Sequence, residues 1–204
     1  TRDRLAAVTP AQALKHPNWD MGAKITIDSA SLMNKGLEAI EAKWLFHLRP
    51  EQVGIIVHPQ SIVHSLVQFR DGSMKAQLGL PDMKLPILYA LSYPKRLPTD
   101  WPRFDFAKYP SLTFEEPDMA SFRNLALALQ AMDRGGNAPC VLNAANEVAV
   151  RLFLEGRIGF LAMSDLIEER LAKATFVQHP TLEDLEATDA ETRREALKGG
   201  TVNV

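Results

Sequence analysis

The sequence lacks several features that would assign it to a specialised class of protein. Its single cysteine, Cys140, excludes an internal disulfide and any site built from several cysteines. No apolar run approaches the roughly 18 residues of a membrane span, and we expect no signal peptide. The net charge of −2 offers no basic field for nucleic acid. We therefore expect a protein of the bacterial cytoplasm or a plastid-type organelle that binds neither nucleic acid nor a membrane.

What is present is the composition of an ordinary globular protein. Of the 204 residues, 46% are hydrophobic and 24% are charged, and the length suits one domain or two small ones. The patterning changes where prolines and aromatics become frequent. We predict an α+β domain with a mixed sheet and flanking helices over residues 1–97, a Pro-rich linker over 98–118, and an all-α helical bundle over 119–204.

Three strand-like patterns lie in the first half. The β-branched stretch Lys24–Asp28, "KITID", predicts a short strand. The continuous apolar run Val53–His58 predicts a central strand that is buried on both faces. Asp71-Gly72 predicts a two-residue hairpin turn that pairs Phe69 with Met74.

The second half contains helical patterns, most of which end near glycine. The predicted helices are Ser121–Asp133, Ala138–Glu155, Ser164–Ala174 and Asp189–Lys198.

The stretch "DSASLMNKGLEAIEAKWLF" predicts an amphipathic helix with an unusually polar start. Asn34 and Lys35 stand four and three residues before Glu38, so their side chains can meet around one point. Ser29 or Ser31 would cap the helix, where free N–H groups favour an anion. A lysine, a serine and an asparagine there suit a phosphate, and Glu38 could hold a cation on the same ligand. Spacing alone favours the simpler interpretation of a capped helix with a surface Lys–Glu pair.

Other polar segments leave similar alternatives open. In "HPNWDMG", His16 and Trp19 could belong to a mobile lid or to a loop whose aromatic fixes a turn. His58 and His64 read as hydrogen-bonded structural residues, because no zinc-binding pattern accompanies them. Structural roles are also favoured for the polar residues of a later helix and for the cysteine, namely Asn143, Asn146, Glu147 and Cys140.

Five motifs in order make the sequence resemble a known family. "HPNWDMG", "KITIDSASLMNKGLEAIEA", "HPQSIVHSLVQFRDGS", "AQLGLPDM" and "LNAANEVAV" are similar to the catalytic and C-terminal parts of 1-deoxy-D-xylulose 5-phosphate reductoisomerases. The resemblance runs from about residue 5 to the end. It implies conversion of 1-deoxy-D-xylulose 5-phosphate to 2-C-methyl-D-erythritol 4-phosphate in non-mevalonate isoprenoid synthesis. It also implies NADPH, a divalent metal (Mg, Mn or Co) and a homodimer.

The resemblance implies a role for individual residues. The residues implied to contact the phosphosugar substrate are His16, Ser29, Asn34, Lys35 and Glu38, and Glu38 is also the implied metal ligand and catalytic residue. Gly22 is implied to lie at the nicotinamide cofactor. Trp19 and Met21 are implied to form a flexible flap.

Parts of the family pattern are missing from this sequence. No glycine-rich dinucleotide fingerprint is present, and the other metal ligands of the family precede the matched region. We therefore expect the C-terminal part of the enzyme, inactive as a reductoisomerase by itself. The alternatives are a phosphosugar isomerase without a redox step and a non-catalytic dimerisation or interaction module.

Overall fold

A computed structural model describes residues 2–15 and 21–199 of the chain. In the first half, its elements are α1 (Arg2–Ala6), α2 (Pro10–Ala13), α3 (Ala23–Ala30), α4 (Met33–Leu45), a 3-10 turn (Pro50–Gln52), β1 (Val63–Gln68), β2 (Met74–Leu78) and α5 (Lys84–Ser92). The remaining elements are α6 (Arg123–Arg134), α7 (Ala138–Leu154), α8 (Phe160–Lys173) and α9 (Leu182–Gly199). The α+β class is thus confirmed.

The contacts divide the chain into two units. The helical unit contains the described residues up to Ile55 together with those from Pro117 on, and the hairpin unit is Ile56–Glu116. The boundaries of these units differ from those of the domains that the sequence predicts, namely 1–97, 98–118 and 119–204. The predicted division stays a prediction.

Helix α7 is the centre of the helical unit. It packs against α3, α6, α8 and α9. Its buried side chains include Leu142, Leu152 and Phe153, and the ring of Phe153 meets that of Phe160 edge to face at 5.6 Å. The four helices predicted for this region are all present. However, α8 and α9 begin four and seven residues earlier than the sequence indicated.

The prediction of a strand over Lys24–Asp28 is wrong, because these residues belong to α3. Three consecutive side chains of α3, those of Thr26, Ile27 and Asp28, are buried. Packing of α3 against α7 therefore overrides the β preference of the two isoleucines and the threonine.

The predicted serine cap of the next helix is also wrong. Ser31 ends α3, and α4 follows after Leu32, whose φ of 59° is left-handed and whose side chain makes no capping hydrogen bond. The chain thus turns sharply between two separate helices. Helix α4 then lies close against α6, since a Cβ added at Gly36 would be only 2.3 Å from Ala128 Cβ. It ends at Leu45, earlier than the predicted stop at Pro50.

The hairpin unit confirms the hairpin but not its predicted register. Strands β1 and β2 are antiparallel, and Gln68 lies opposite Met74, so the pairing is shifted by one residue. The Phe69 N–H donates to Ser73 O (2.8 Å), which leaves a three-residue loop with Gly72 at φ 87°. A left-handed residue at the end of a three-residue loop is a common hairpin geometry.

The prediction of a buried central strand over Val53–His58 is wrong. Among the described residues, this run makes one isolated antiparallel bridge, between Val57 and Glu115. A central strand needs a neighbour along each edge, and one bridge does not supply this. The Pro-rich stretch that follows α5 has neither helix nor extended strand up to α6.

Within residues 2–15 and 21–199, no helix combines the length and the apolar character needed to cross a membrane.

Candidate functional site

The first turns of α4 carry a compact polar cluster, which we name the Glu38 cluster: Asn34, Lys35 and Glu38. Asn34 Nδ2 donates to Glu38 Oε1 (2.6 Å), and Lys35 Nζ contacts Glu38 Oε2 (2.6 Å). Each carboxylate oxygen therefore has one donor. The meeting of these three side chains is confirmed.

The Glu38 cluster is open to solvent. The side chains of Lys35 and Glu38 are 43% and 47% exposed. An ion pair at this exposure adds little to stability, because water screens both charges. The cluster can therefore exchange its internal bonds for bonds to a ligand at small cost.

Ser29 lies on a different helix from the cluster. It occupies the last turn of α3 and is partly buried, and α3 packs against α4. The structure thus places the four predicted phosphate and metal residues on two adjacent helices, with Leu32 at the turn between them.

The opposite end of α3 carries the predicted cofactor residue. Gly22 precedes the first turn, about 10 Å along the axis from Ser29 at 1.5 Å per residue. Its φ of −60° suits any residue, and a Cβ there would meet nothing within 4 Å. Met21 is partly buried beside it. His16 and Trp19 lie outside the described residues.

Sequence reasoning missed a buried polar contact below this site. Asp28 is 1% exposed; its Oδ2 contacts Lys24 Nζ at 2.6 Å, and its Oδ1 accepts from Asn146 Nδ2 at 2.8 Å. The assignment of "KITID" to a strand hid it, because residues four apart come within about 6 Å of each other on a helix but lie about 13 Å apart along a strand. The structural role predicted for Asn146 is confirmed.

A second polar group ties α7 to α9. Asn143 Nδ2 donates to Glu147 Oε1 (3.2 Å), and Arg193 Nη1 contacts Glu147 Oε2 at 2.8 Å. The Arg193 guanidinium lowers the pKa of the Glu147 carboxyl, and Asn143 adds to this effect. Arg193 also pairs with Asp189 at 2.6 Å. The group is structural, as predicted for Asn143 and Glu147.

The histidines of the hairpin unit are hydrogen-bonded, as predicted. A ring nitrogen of His58 lies 2.8 Å from Thr113 O, and the ring stacks on Phe114. One of His64 lies 3.2 Å from Gly79 O. Cys140 is only partly buried, and its thiol pKa is raised by burial and by Asp189.

The described residues offer few of the ligands that a metal ion requires. Within residues 2–15 and 21–199, no three His, Cys, Asp or Glu side chains stand close enough to hold an ion. Glu38 alone supplies one oxygen-bearing group, whereas hard divalent cations take about six oxygen ligands. These residues do not form a complete metal site by themselves.

Matches to family models define the class to which the chain belongs. Residues 78–195 match the DXP reductoisomerase C-terminal domain, and residues 1–46 match a 1-deoxy-D-xylulose 5-phosphate reductoisomerase C-terminal domain. The chain belongs to the 1-deoxy-D-xylulose 5-phosphate reductoisomerase family.

Curated relatives agree with this assignment. The chain is 62% identical over 97% of its length to the reductoisomerase of Phocaeicola vulgatus, and 61% identical over 97% to that of Bacteroides thetaiotaomicron. It covers 52% and 51% of those proteins. The chain therefore spans about half the length of the curated relatives it matches.

Solved structures agree as well. The reductoisomerase of Zymomonas mobilis in complex with NADPH has a TM-score of 0.91 and 44% identity, and all of the chain covers 52% of it. A DOX-P reductoisomerase in complex with NADPH, fosmidomycin and magnesium has a TM-score of 0.92 and 39% identity, and 98% of the chain covers 51% of it. The fold is therefore that of the corresponding half of these enzymes.

Proposed function

We propose that the chain is the C-terminal part of an NADPH-dependent enzyme that converts 1-deoxy-D-xylulose 5-phosphate to 2-C-methyl-D-erythritol 4-phosphate. The observation that carries the proposal is the Glu38 cluster, in which a lysine, an amide and a carboxylate meet on α4. The reaction rearranges the carbon skeleton to an aldehyde, which a hydride from NADPH and a proton then reduce to an alcohol.

The phosphate of the substrate binds Ser29, Asn34 and Lys35 in this proposal. The lysine and the amide supply N–H donors, and Ser29 adds a hydroxyl from the neighbouring helix. Charge-assisted bonds of this kind are about twice as strong as neutral ones. His16 and Trp19 lie outside the described residues, so a substrate contact by His16 and a flap of Trp19 and Met21 stay predictions from the family resemblance.

Glu38 is the proposed catalytic residue and metal ligand. Glu38 would hold a divalent ion, and such an ion would supply Lewis-acid chemistry at the substrate carbonyl. Glu38 supplies one ligand, so the other ligands come from residues outside the described part of the chain. Magnesium occurs in a solved relative, and manganese or cobalt stays a prediction.

Gly22 is proposed to lie against the nicotinamide. The open space where its Cβ would stand leaves room for a flat ring to approach the backbone. NADPH is also the cofactor in the complexes with solved relatives.

The proposed assembly is a cytoplasmic homodimer. Large apolar side chains are exposed in the hairpin unit, among them Leu91 (83%) and Tyr93 (72%). Exposed apolar patches commonly mark interaction surfaces. Sedimentation should give a dimer, and a clean monomer at micromolar concentration contradicts this part of the proposal.

The activity is tested in a joined enzyme, in which the remaining half of the Phocaeicola vulgatus relative precedes this chain. We expect NADPH oxidation that requires 1-deoxy-D-xylulose 5-phosphate and a divalent metal, and none from the 204-residue chain alone. The proposal is wrong if the joined enzyme is folded by circular dichroism yet inactive where the relative is active.

Two substitutions separate the roles inside the cluster. Lys35→Ala should raise the substrate KM about 10- to 100-fold, since a hydrogen bond to a charged group is worth about 1.5–3 kcal/mol. Glu38→Gln should lower kcat by about two orders of magnitude, because metal polarisation of a carbonyl contributes several kcal/mol. Glu41→Gln, also exposed on α4, is the control and should change neither constant. Wild-type constants for both cluster variants contradict the assignment.

A further inference from the structure

We propose that Asp28 and Asn146 are positioning residues for the phosphate site. Their buried hydrogen bond holds the last turn of α3 on α7, and this contact sets how well Ser29 and the Glu38 cluster bind the phosphate together. The inference rests on the proposed function and extends it to residues of the helical bundle.

The hydrogen bond between Asp28 and Asn146 lies at a buried position where packing alone would favour apolar residues. Asp28 and Asn146 are 1% and 0% exposed, and both oxygens of the Asp28 carboxylate have donors. The neighbouring Ile27 is fully buried in the same apolar core as residues of α7. A buried carboxylate is costly unless it is fully paired, so it fixes one arrangement of the helices instead of many.

The contact between Asp28 and Asn146 also lies next in sequence to the proposed phosphate-binding residues. Ser29 directly follows Asp28, and the Ser31 hydroxyl donates to Asp28 O (3.3 Å). Leu32 then turns the chain into α4, where Asn34 stands only two residues later. A rotation or slide of α3 on α7 would therefore displace Ser29 and the start of the cluster.

Within residues 2–15 and 21–199, the bond to Asp28 is the one hydrogen bond that the Asn146 side chain makes. Among the described residues, the buried Oδ1 of Asn146 has no hydrogen-bond partner. The Asn146 amide is therefore oriented by its bond to Asp28 alone. Loss of either partner therefore removes this hydrogen bond and loosens the packing of α3 on α7.

Asn137 offers a matched control on the same helix. It is also a buried asparagine (1% exposed), at the start of α7. Its Nδ2 donates to Thr175 O (2.9 Å) and its Oδ1 accepts from Val177 N–H (3.0 Å). It stabilises the bundle through the segment before α9 and through Thr188 of α9 (3.2 Å), and it makes no hydrogen bond to α3 within the described residues. Asn137→Ala therefore measures a structural loss without loss of positioning.

The first test uses hydrogen exchange on the chain itself. Asn146→Ala should speed amide exchange over residues 26–31 about tenfold relative to α8, since hydrogen-bond losses of this kind correspond to about tenfold changes. Asn137→Ala should not change that ratio, although it lowers the melting temperature. Equal ratios in the two variants overturn the proposal.

The second test uses the joined enzyme. Asn146→Ala and Asp28→Ala should each raise the substrate KM about 5- to 10-fold, with kcat within about twofold. Asp28→Asn keeps an acceptor for Asn146 and should restore most of the affinity. Asn137→Ala should leave KM unchanged. A KM increase of the same size in Asn137→Ala, or none in Asn146→Ala, overturns the proposal.

The substitution Ser29→Ala shows whether a negative result rules out only the positioning role or also the proposed function. If Ser29→Ala raises KM and Asn146→Ala does not, only the positioning role is wrong. If neither substitution changes KM, the phosphate site itself is misplaced, and the positioning role is wrong with it.

Discussion

The helical unit and the hairpin unit bury apolar side chains to very different extents. Most of α7 is inaccessible to solvent, and α3, α6, α8 and α9 surround it. Helix α5, whose residues are all described, buries none of its nine although most of them are apolar. Apolar side chains therefore form a buried core in the helical unit but remain on the surface in the hairpin unit.

This difference shows that the two units depend on different sources of stability. The helical unit contains its own close-packed interior, to which α3, α6, α7 and α8 all contribute side chains. The hairpin unit shows a two-stranded sheet, and isolated hairpins are marginally stable. Its apolar surface would add stability only when another surface covers it.

The largest difference between the two units is expected when one leucine in each is truncated to alanine. Leu152→Ala in α7, at 0% exposure, should lower the free energy of unfolding by about 2–5 kcal/mol because it opens a cavity. Leu91→Ala in α5, at 83% exposure, should change it by less than about 0.5 kcal/mol. Urea unfolding measures both. Similar losses in the two variants would show that α5 is covered in solution.

A smaller effect is expected where α4 meets α6. Gly36→Ala places a methyl group 2.3 Å from Ala128 Cβ, so the helices must separate. We expect a loss of about 1–3 kcal/mol from overpacking, reduced by the higher helix propensity of alanine. Thermal unfolding measures it, and the added substitution Ala128→Gly should recover part of the loss. A stability equal to wild type would mean that α4 is not held this closely.

The hairpin loop should respond more weakly. Gly72→Ala forces a Cβ into a left-handed conformation (φ 87°), which costs about 1–2 kcal/mol, whereas Gly72→Asn should cost less. Amide exchange in β1 and β2 reports this locally. The expectation fails if alanine and asparagine protect these strands equally.

The smallest effect is a pH dependence in the helical unit. The Glu147 pKa is lowered in the folded protein, mainly by its bond to Arg193. The contribution of the Glu147 carboxylate to stability is therefore present above its unfolded pKa and is lost as the pH falls through its folded pKa. Glu147→Gln should cost less than about 1 kcal/mol at pH 7, because the pair is over one-third exposed, and progressively less as the pH falls through the folded pKa. Melting curves across this range test it, and a cost that persists in acid contradicts it.

The sequence predicted best where local patterns and tertiary packing agree. The apolar periodicity and terminal glycines of α6 and α7 located both helices to within about two residues. The i,i+3 and i,i+4 spacings located the Glu38 cluster, because one continuous helix fixes those geometries.

The predictions failed where distant contacts decide the structure. Residues Lys24–Asp28 carry β-branched side chains, yet burial against α7 makes them helical, and no local pattern reports that contact. Val53–His58 has the composition of a strand but one bridge among the described residues. The roles proposed for Ser29, Gly22 and the cluster rest on family resemblance, since spacing alone favoured an ordinary surface pair.

The double hydrogen bond of Glu38 has a thermodynamic consequence for any pair of oppositely charged ligands. Lys35 offsets the charge of the carboxylate, and the hydrogen bond from Asn34 helps to orient it. An anion that draws Lys35 away leaves Glu38 more negative and so raises its affinity for a cation. By linkage, a cation on Glu38 must raise the affinity of Lys35 for the anion by the same factor. One surface ion pair is thus sufficient to make the two binding events cooperative without any movement of the helices.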